Sequence, residues 1–173
     1  MKKQEILDDI KKITDVVISY VENLTDEEVK KSIGGKWSVN GNIEHLTKSI
    51  KPLTKAHKVP KFLLNYKFGK MNREGRSYEQ VLNKYNTALS SGLAPSPNPF
   101  GPKNDHTNRN YILNDYKIET KKFIKSLNSW TEKQLDTYIL PHPVIGKLSI
   151  REMLYFTHLH TIHHSEIIKK INS

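Results

Sequence analysis

Four of the eight histidines in this chain fall within seven consecutive residues, His158, His160, His163 and His164, and their register says more than their number. Met153, Thr157, His160, His164, Ile167 and Ile171 recur at alternating spacings of four and three, the pattern of one face of an α-helix. Two imidazoles thus occupy positions where apolar side chains are expected. An i, i+4 pair on a helix stacks one ring above the other, with Cβ atoms about 5–6 Å apart. That spacing lets two ring nitrogens meet one metal ion at about 2.0–2.1 Å each. Helical HExxH sites use the same spacing, but their glutamate is absent here. His163, three residues after His160, is an alternative ligand. His158 points away from His160, toward the surface or the outer layer of a site. A metal-free polar core is the blander account of the pair, and it would require a hydrogen-bond partner for each buried ring.

With no cysteine in the chain, any ion must be held by imidazole or carboxylate, and disulfides are excluded. His45 lies on the flank of its own apolar stripe, near Asn42 and Ser49. Spacing alone leaves open whether it is a boundary residue or lines a cleft.

The elements that position these residues are helical. Ile6, Ile10, Ile13, Val17, Tyr20 and Leu24 mark a first helix, and Thr25 with Glu28 opens a short second segment. Ser38 is the expected N-cap of a long helix with the stripe Val39, Ile43, Leu46, Ile50 and Leu53. Residues 59–76 are expected to be irregular around Phe62-Leu63-Leu64. Ser77 and Gln80 cap a helix with the stripe Tyr78, Leu82, Tyr85 and Leu89. A proline-rich crossover (Pro95, Pro97, Pro99, Pro102) leads to a helix from about Asp105 to Leu127, with Ile112, Tyr116, Glu119, Phe123 and Leu127 inward. Glu119 is the odd member of that stripe. It is a candidate partner for a metal ligand, although an ion pair with lysine accounts for it equally. Thr131 caps a short segment, residues 141–146 form a turn, and Ser149 with Glu152 caps the last helix. No strand of useful length is expected. The architecture is all-α, a four-helix bundle with short accessory helices, filling residues 1–173 as a single domain.

The composition fits a soluble globular chain: 173 residues, 36% hydrophobic and 27% charged. No apolar run approaches a membrane span, and cytoplasmic location is the expectation. The net charge of +10 invites a nucleic-acid reading, but only four of the 28 basic residues are arginines (Arg73, Arg76, Arg109, Arg151). Base and phosphate recognition favours the forked guanidinium, and the lysines are scattered. Nucleic acid is therefore not the expected partner. The stretch Lys55–Arg76 is the place for nucleic acid or another anion if the chain is instead a non-enzymatic, metal-stabilised binding module.

Trp37-Ser38-Val39 followed by Ile43-Glu44-His45-Leu46, and Leu148-Ser149-Ile150-Arg151-Glu152-Met153-Leu154 followed by His160-Thr161-Ile162-His163-His164, resemble the two signatures of the DinB/YfiT-like proteins. The resemblance touches most of the chain from Trp37 onward. It implies an up-down-down-up bundle and a divalent-metal site of His45, His160 and His164. It also implies metal-dependent hydrolase or thiol-dependent S-transferase chemistry on a small-molecule substrate. Gly41 stands where relatives carry Glu or Gln, and Ser165-Glu166-Ile167 replaces their Arg-Gly-Gln. Neither departure removes a ligand. Three imidazoles leave a tetrahedral ion one open position, as catalytic sites do, for acidifying water or taking up a thiolate. Zn or Ni suits the donor set best, with Fe, Co and Mn as alternatives, and a low-molecular-weight thiol is a candidate cosubstrate. Trp37, His142 and His163 are the remaining candidates for pocket walls, and an exposed bundle face allows a homodimer.

Overall fold

A computed structural model describes residues 1–92, 100–103 and 108–173. His106, Asp105, Pro95, Pro97 and Pro99 lie outside the described residues.

Four long helices form a bundle: α1 (Lys3–Glu22), α2 (Val39–Lys58), α5 (Arg109–Ser126) and α7 (Ile150–Ile171). Their side chains reveal the directions. Along α1 and α5 the contacts run oppositely, Lys3 to Leu127, Thr14 to Tyr116 and Arg109 to Leu24. Along α2 and α5 they run together, Lys51 to Asp115 and His57 to Ser126. Asn42 meets His164 and His45 meets His160, so α2 and α7 are antiparallel. The order is up-down-down-up. Two neighbouring helices that run the same way need a long crossover between them, and here it carries α3 (Lys61–Phe68) and α4 (Tyr78–Ser90).

Local chemistry sets the helix starts. Ser38 Oγ accepts from Gly41 N at 3.0 Å. Ser77, Thr131 and Ser149 form capping boxes with Gln80, Gln134 and Glu152, each satisfying otherwise unpaired backbone donors. The stripes of α1, α2, α5 and α7 close around a core that includes Ile10, Val21, Ile43, Leu46, Phe123, Met153 and Leu154, all nearly inaccessible to solvent.

Three expectations need correction. Residues 59–76 are irregular only after Phe68: Pro60 opens α3, and its end at Gly69 takes a positive φ of 82°. This helix buries only Leu64, and Phe62 and Tyr66 stay 70% and 91% exposed, so periodicity gave no sign of it. The buried face of α4 is Val81, Tyr85 and Ala88, one residue round from the expected stripe, because α4 packs mainly on α7. Short strands are present: β1 (Ile139–His142) pairs antiparallel with β2 (Gly146–Ser149) across the turn at Pro143, after the brief helix α6 (Glu132–Thr137). Finally, of the two partners expected for Glu119, the structure shows the lysine. Glu119 is paired with Lys122 at 2.7 Å on the same helix.

Candidate metal centre

His160 and His164 project from α7 and His45 from α2, and the three rings meet in the buried seam between those helices. The Nε2 atom of His160 is 3.0 Å from Nε2 of His45 and 3.1 Å from Nε2 of His164. The other nitrogens of the two flanking rings are tied back. His45 Nδ1 is 2.9 Å from the carbonyl oxygen of Phe100. His164 Nδ1 is 2.7 Å from Asn42 Oδ1.

These ties fix where the protons sit. A carbonyl oxygen can only accept, so Nδ1 of His45 carries the hydrogen. The side-chain amide of Asn42 donates to the carbonyl oxygens of Ser38 at 2.7 Å and Trp37 at 3.3 Å. Its oxygen is therefore the atom facing His164, and Nδ1 of His164 carries the hydrogen there too. This tautomer assignment rests on the hydrogen-bond network. Both flanking Nε2 atoms are then bare lone pairs aimed at the same nitrogen of His160. A single hydrogen on His160 can answer one of them. The other contact would set two lone pairs face to face.

Protonation does not relieve the conflict. Burial, followed by the mutual repulsion of the rings, pushes His160 and His164 well below the usual histidine range. Burial is also the main effect that lowers His45. A divalent cation accepts all three lone pairs at once. Three nitrogens at about 2.0–2.1 Å from a tetrahedral ion sit about 3.3 Å apart, a few tenths of an ångström from what is seen. The donor set fits a metal ion, and Asn42 and the Phe100 carbonyl are the outer partners such ligands require.

Aromatic rings pack around the cluster. Trp37 lies 4.6 Å from the His45 ring and stacks on His164 at 6.2 Å, while Phe156 stacks on His160 at 5.1 Å. Residues 100–103 are strapped to α2, since Lys48 donates to the Gly101 carbonyl and the Lys103 amide to Glu44. Glu44 is thus held by the crossover rather than by the site.

The cluster forms one wall of a cavity of about 310 Å³. Among the described residues, its lining is mainly apolar and carries no carboxylate, lysine or arginine. Tyr85 faces it, its hydroxyl held protonated by burial. His142 and His163 also line it, but neither belongs to the convergent set. His163 packs against Tyr85 and His164. His158 donates to or accepts from the Tyr78 hydroxyl at 2.9 Å, away from the cavity lining. Sequence reasoning missed Asn42 and Phe100. The one available signal for Asn42 was a polar residue three positions before His45 on the same flank of α2.

The sequence matches the family model of the DinB superfamily over residues 10–168. Among solved structures the chain is similar to YfiT from Bacillus subtilis, described as a probable metal-dependent hydrolase with an unusual four-helix bundle topology. The TM-score is 0.66 at 17% identity, over 99% of this chain and 87% of that one. No curated protein matches the sequence.

Proposed function

Given that the chain belongs to the DinB superfamily, we propose that it is a metal-dependent enzyme in which His45, His160 and His164 hold a divalent ion. We further propose that its reaction is hydrolysis or a transfer involving a thiol. One observation carries the reading: two Nε2 lone pairs are oriented by their outer partners onto a third imidazole at 3.0–3.1 Å, an arrangement that a cation relieves. When bound, a divalent ion supplies Lewis acidity, which lowers the pKa of a water molecule or stabilises a thiolate. Zn or Ni suits three imidazoles best, and a low-molecular-weight thiol is the candidate cosubstrate.

The chain's own residues divide the remaining work. Asn42 and the Phe100 carbonyl hold the rings in their ligand tautomers. Trp37 and Phe156 shield them from bulk water. The lining offers no charged side chain among the described residues, so it favours a substrate with an uncharged, apolar body. The description of YfiT as a probable metal-dependent hydrolase supports this reading.

The alternative, an anion-binding module using Lys55–Arg76, has less support. Arg73 and Arg76 both bond Glu152, and Lys61 lies over the Trp130 ring. Elemental analysis of protein purified without a metal-affinity tag tests the proposal. One ion per chain is expected, lost in the His160→Ala/His164→Ala double variant. A well-substoichiometric content that is the same in both proteins would overturn it.

A further inference from the structure

We propose that His142 is a hydrogen-bond donor to the substrate, a second anchoring point in the cavity that takes a carbonyl-type oxygen carried on an uncharged, apolar body. This rests on the cavity being the substrate site.

His142 ends β1, and its Nδ1 lies 3.2 Å from the backbone nitrogens of both Val144 and Ile145. Amide N–H groups only donate, so Nδ1 is the bare nitrogen. The neutral ring must then carry its hydrogen on Nε2. Its single lone pair is already engaged, which removes His142 as a general base. A donor is what remains. Burial reinforces the neutral form, moving this histidine down to about 4.

The position suits the role. The His142 ring stands edge-on against Phe156 at 4.1 Å, and Phe156 stacks on His160. One aromatic ring therefore separates the donor from the three convergent imidazoles. Among the described residues, Nε2 makes no hydrogen bond. The lining around it includes Pro143, Val144 and Phe156, and an apolar pocket with few placed polar groups orients its ligand through those groups. Supporting the turn does not by itself call for histidine. Asn or Asp supplies an acceptor to a following N–H as readily. What the imidazole adds is the hydrogen on its other nitrogen.

The test uses the full chain labelled with ¹⁵N. Long-range proton–nitrogen spectra should show His142 protonated at Nε2 and bare at Nδ1 between about pH 5.5 and 8. Benzylacetone, an uncharged ketone, and butylbenzene, its carbonyl-free counterpart, are then titrated into wild type and His142→Asn, each with and without Ni²⁺. Asparagine keeps an acceptor for the turn but has no donor at the Nε2 position. The ketone should move the His142 Nε2 signal where the hydrocarbon does not. His142→Asn should bind the ketone about three- to tenfold more weakly and the hydrocarbon equally. A hydrogen found on Nδ1, or equal ketone binding by both proteins, overturns the proposal. Should the variant not fold, an Nε2 signal unmoved by the ketone in wild type overturns it as well. The ketone preference is expected in both metal states. A protein that takes up neither Ni²⁺ nor Zn²⁺ but keeps the preference would sink the metal-enzyme reading and leave the donor standing.

Discussion

Replacing Asn42 with leucine isolates the outer partner of the metal centre, because it removes the acceptor from His164 without touching a ligand. In the wild type, Asn42 Oδ1 takes the His164 Nδ1 hydrogen at 2.7 Å and the Asn42 amide is anchored on Ser38 and Trp37. Leucine is close in size and offers no acceptor. The His164 hydrogen then either stays on Nδ1, unsatisfied in a buried seam, or moves to Nε2, where it blocks the ion. Leaving a buried donor unpaired costs about 1–3 kcal/mol. Losing an outer partner typically weakens a metal site about 10–100-fold, which at about 1.36 kcal/mol per decade is about 1.4–2.7 kcal/mol. The two routes agree, so the expected loss in metal affinity is one to two decades.

The assay is competition against a chromogenic chelator with Zn²⁺ or Ni²⁺. Thr54→Val is the control. Thr54 is buried on the same helix and donates to the Ile50 carbonyl at 3.0 Å, so its loss should lower stability and leave metal affinity unchanged. If Asn42→Leu binds metal within about twofold of wild type, the tautomer argument fails. Equal losses in both variants would fail it too, since the effect would then be general destabilisation.

Two further outcomes follow from groups outside the centre. His57 is buried, its Nδ1 donates to Ser126 Oγ at 2.8 Å because that hydroxyl donates to Phe123, and its Nε2 has no partner among the described residues. Burial pushes its pKa down to about 4. The folded state therefore resists a proton that the unfolded chain accepts below about 6.5. Stability is whole above that value and falls as pH drops from 6.5 through 4, with His57 contributing up to about 3 kcal/mol. With chelator present, His57→Leu should lose that much less stability between pH 7 and 4, measured by urea unfolding; parallel curves would refute the assignment. Glu152 is 1% exposed and receives Arg73 through two contacts of 2.7 Å, with Arg76 N at 2.7 Å and Ser149 N at 3.1 Å. Burial alone would raise its pKa, but the bonds from Arg73, Arg76 and Ser149 outweigh it and hold the carboxylate charged. Glu152→Ala should cost about 3 kcal/mol, the low end for breaking a buried pair, because the guanidinium groups stay partly solvated. A urea midpoint unchanged from wild type would show that the clamp contributes nothing.

The contrast between His160/His164 and His45 shows what a single chain can disclose about such a site. Periodicity selects residues that share a face with the core, and His160 and His164 do. His45 sits off its stripe, yet it is buried because α2 is packed against both α5 and α7. Asn40, Gly41 and Asn42 are buried with it, so the enclosed arc of α2 is far wider than its apolar residues mark out. An arc of that width closed by polar side chains reads in sequence as either a boundary or a cleft wall, and only the resemblance pointed to His45. Asn42 and the Phe100 carbonyl were less legible still, since each acts on a residue 122 or 55 positions away and no local pattern encodes that meeting. The same reasoning explains α3 and the hairpin, where exposed aromatics and four-residue strands give periodicity little to detect. It also points to where the next ligand partners of this kind are to be sought: at small polar residues flanking a histidine on a helix that must be covered on two sides. There the chain has given up apolar burial, and an imidazole in need of a fixed tautomer is a sufficient reason for it.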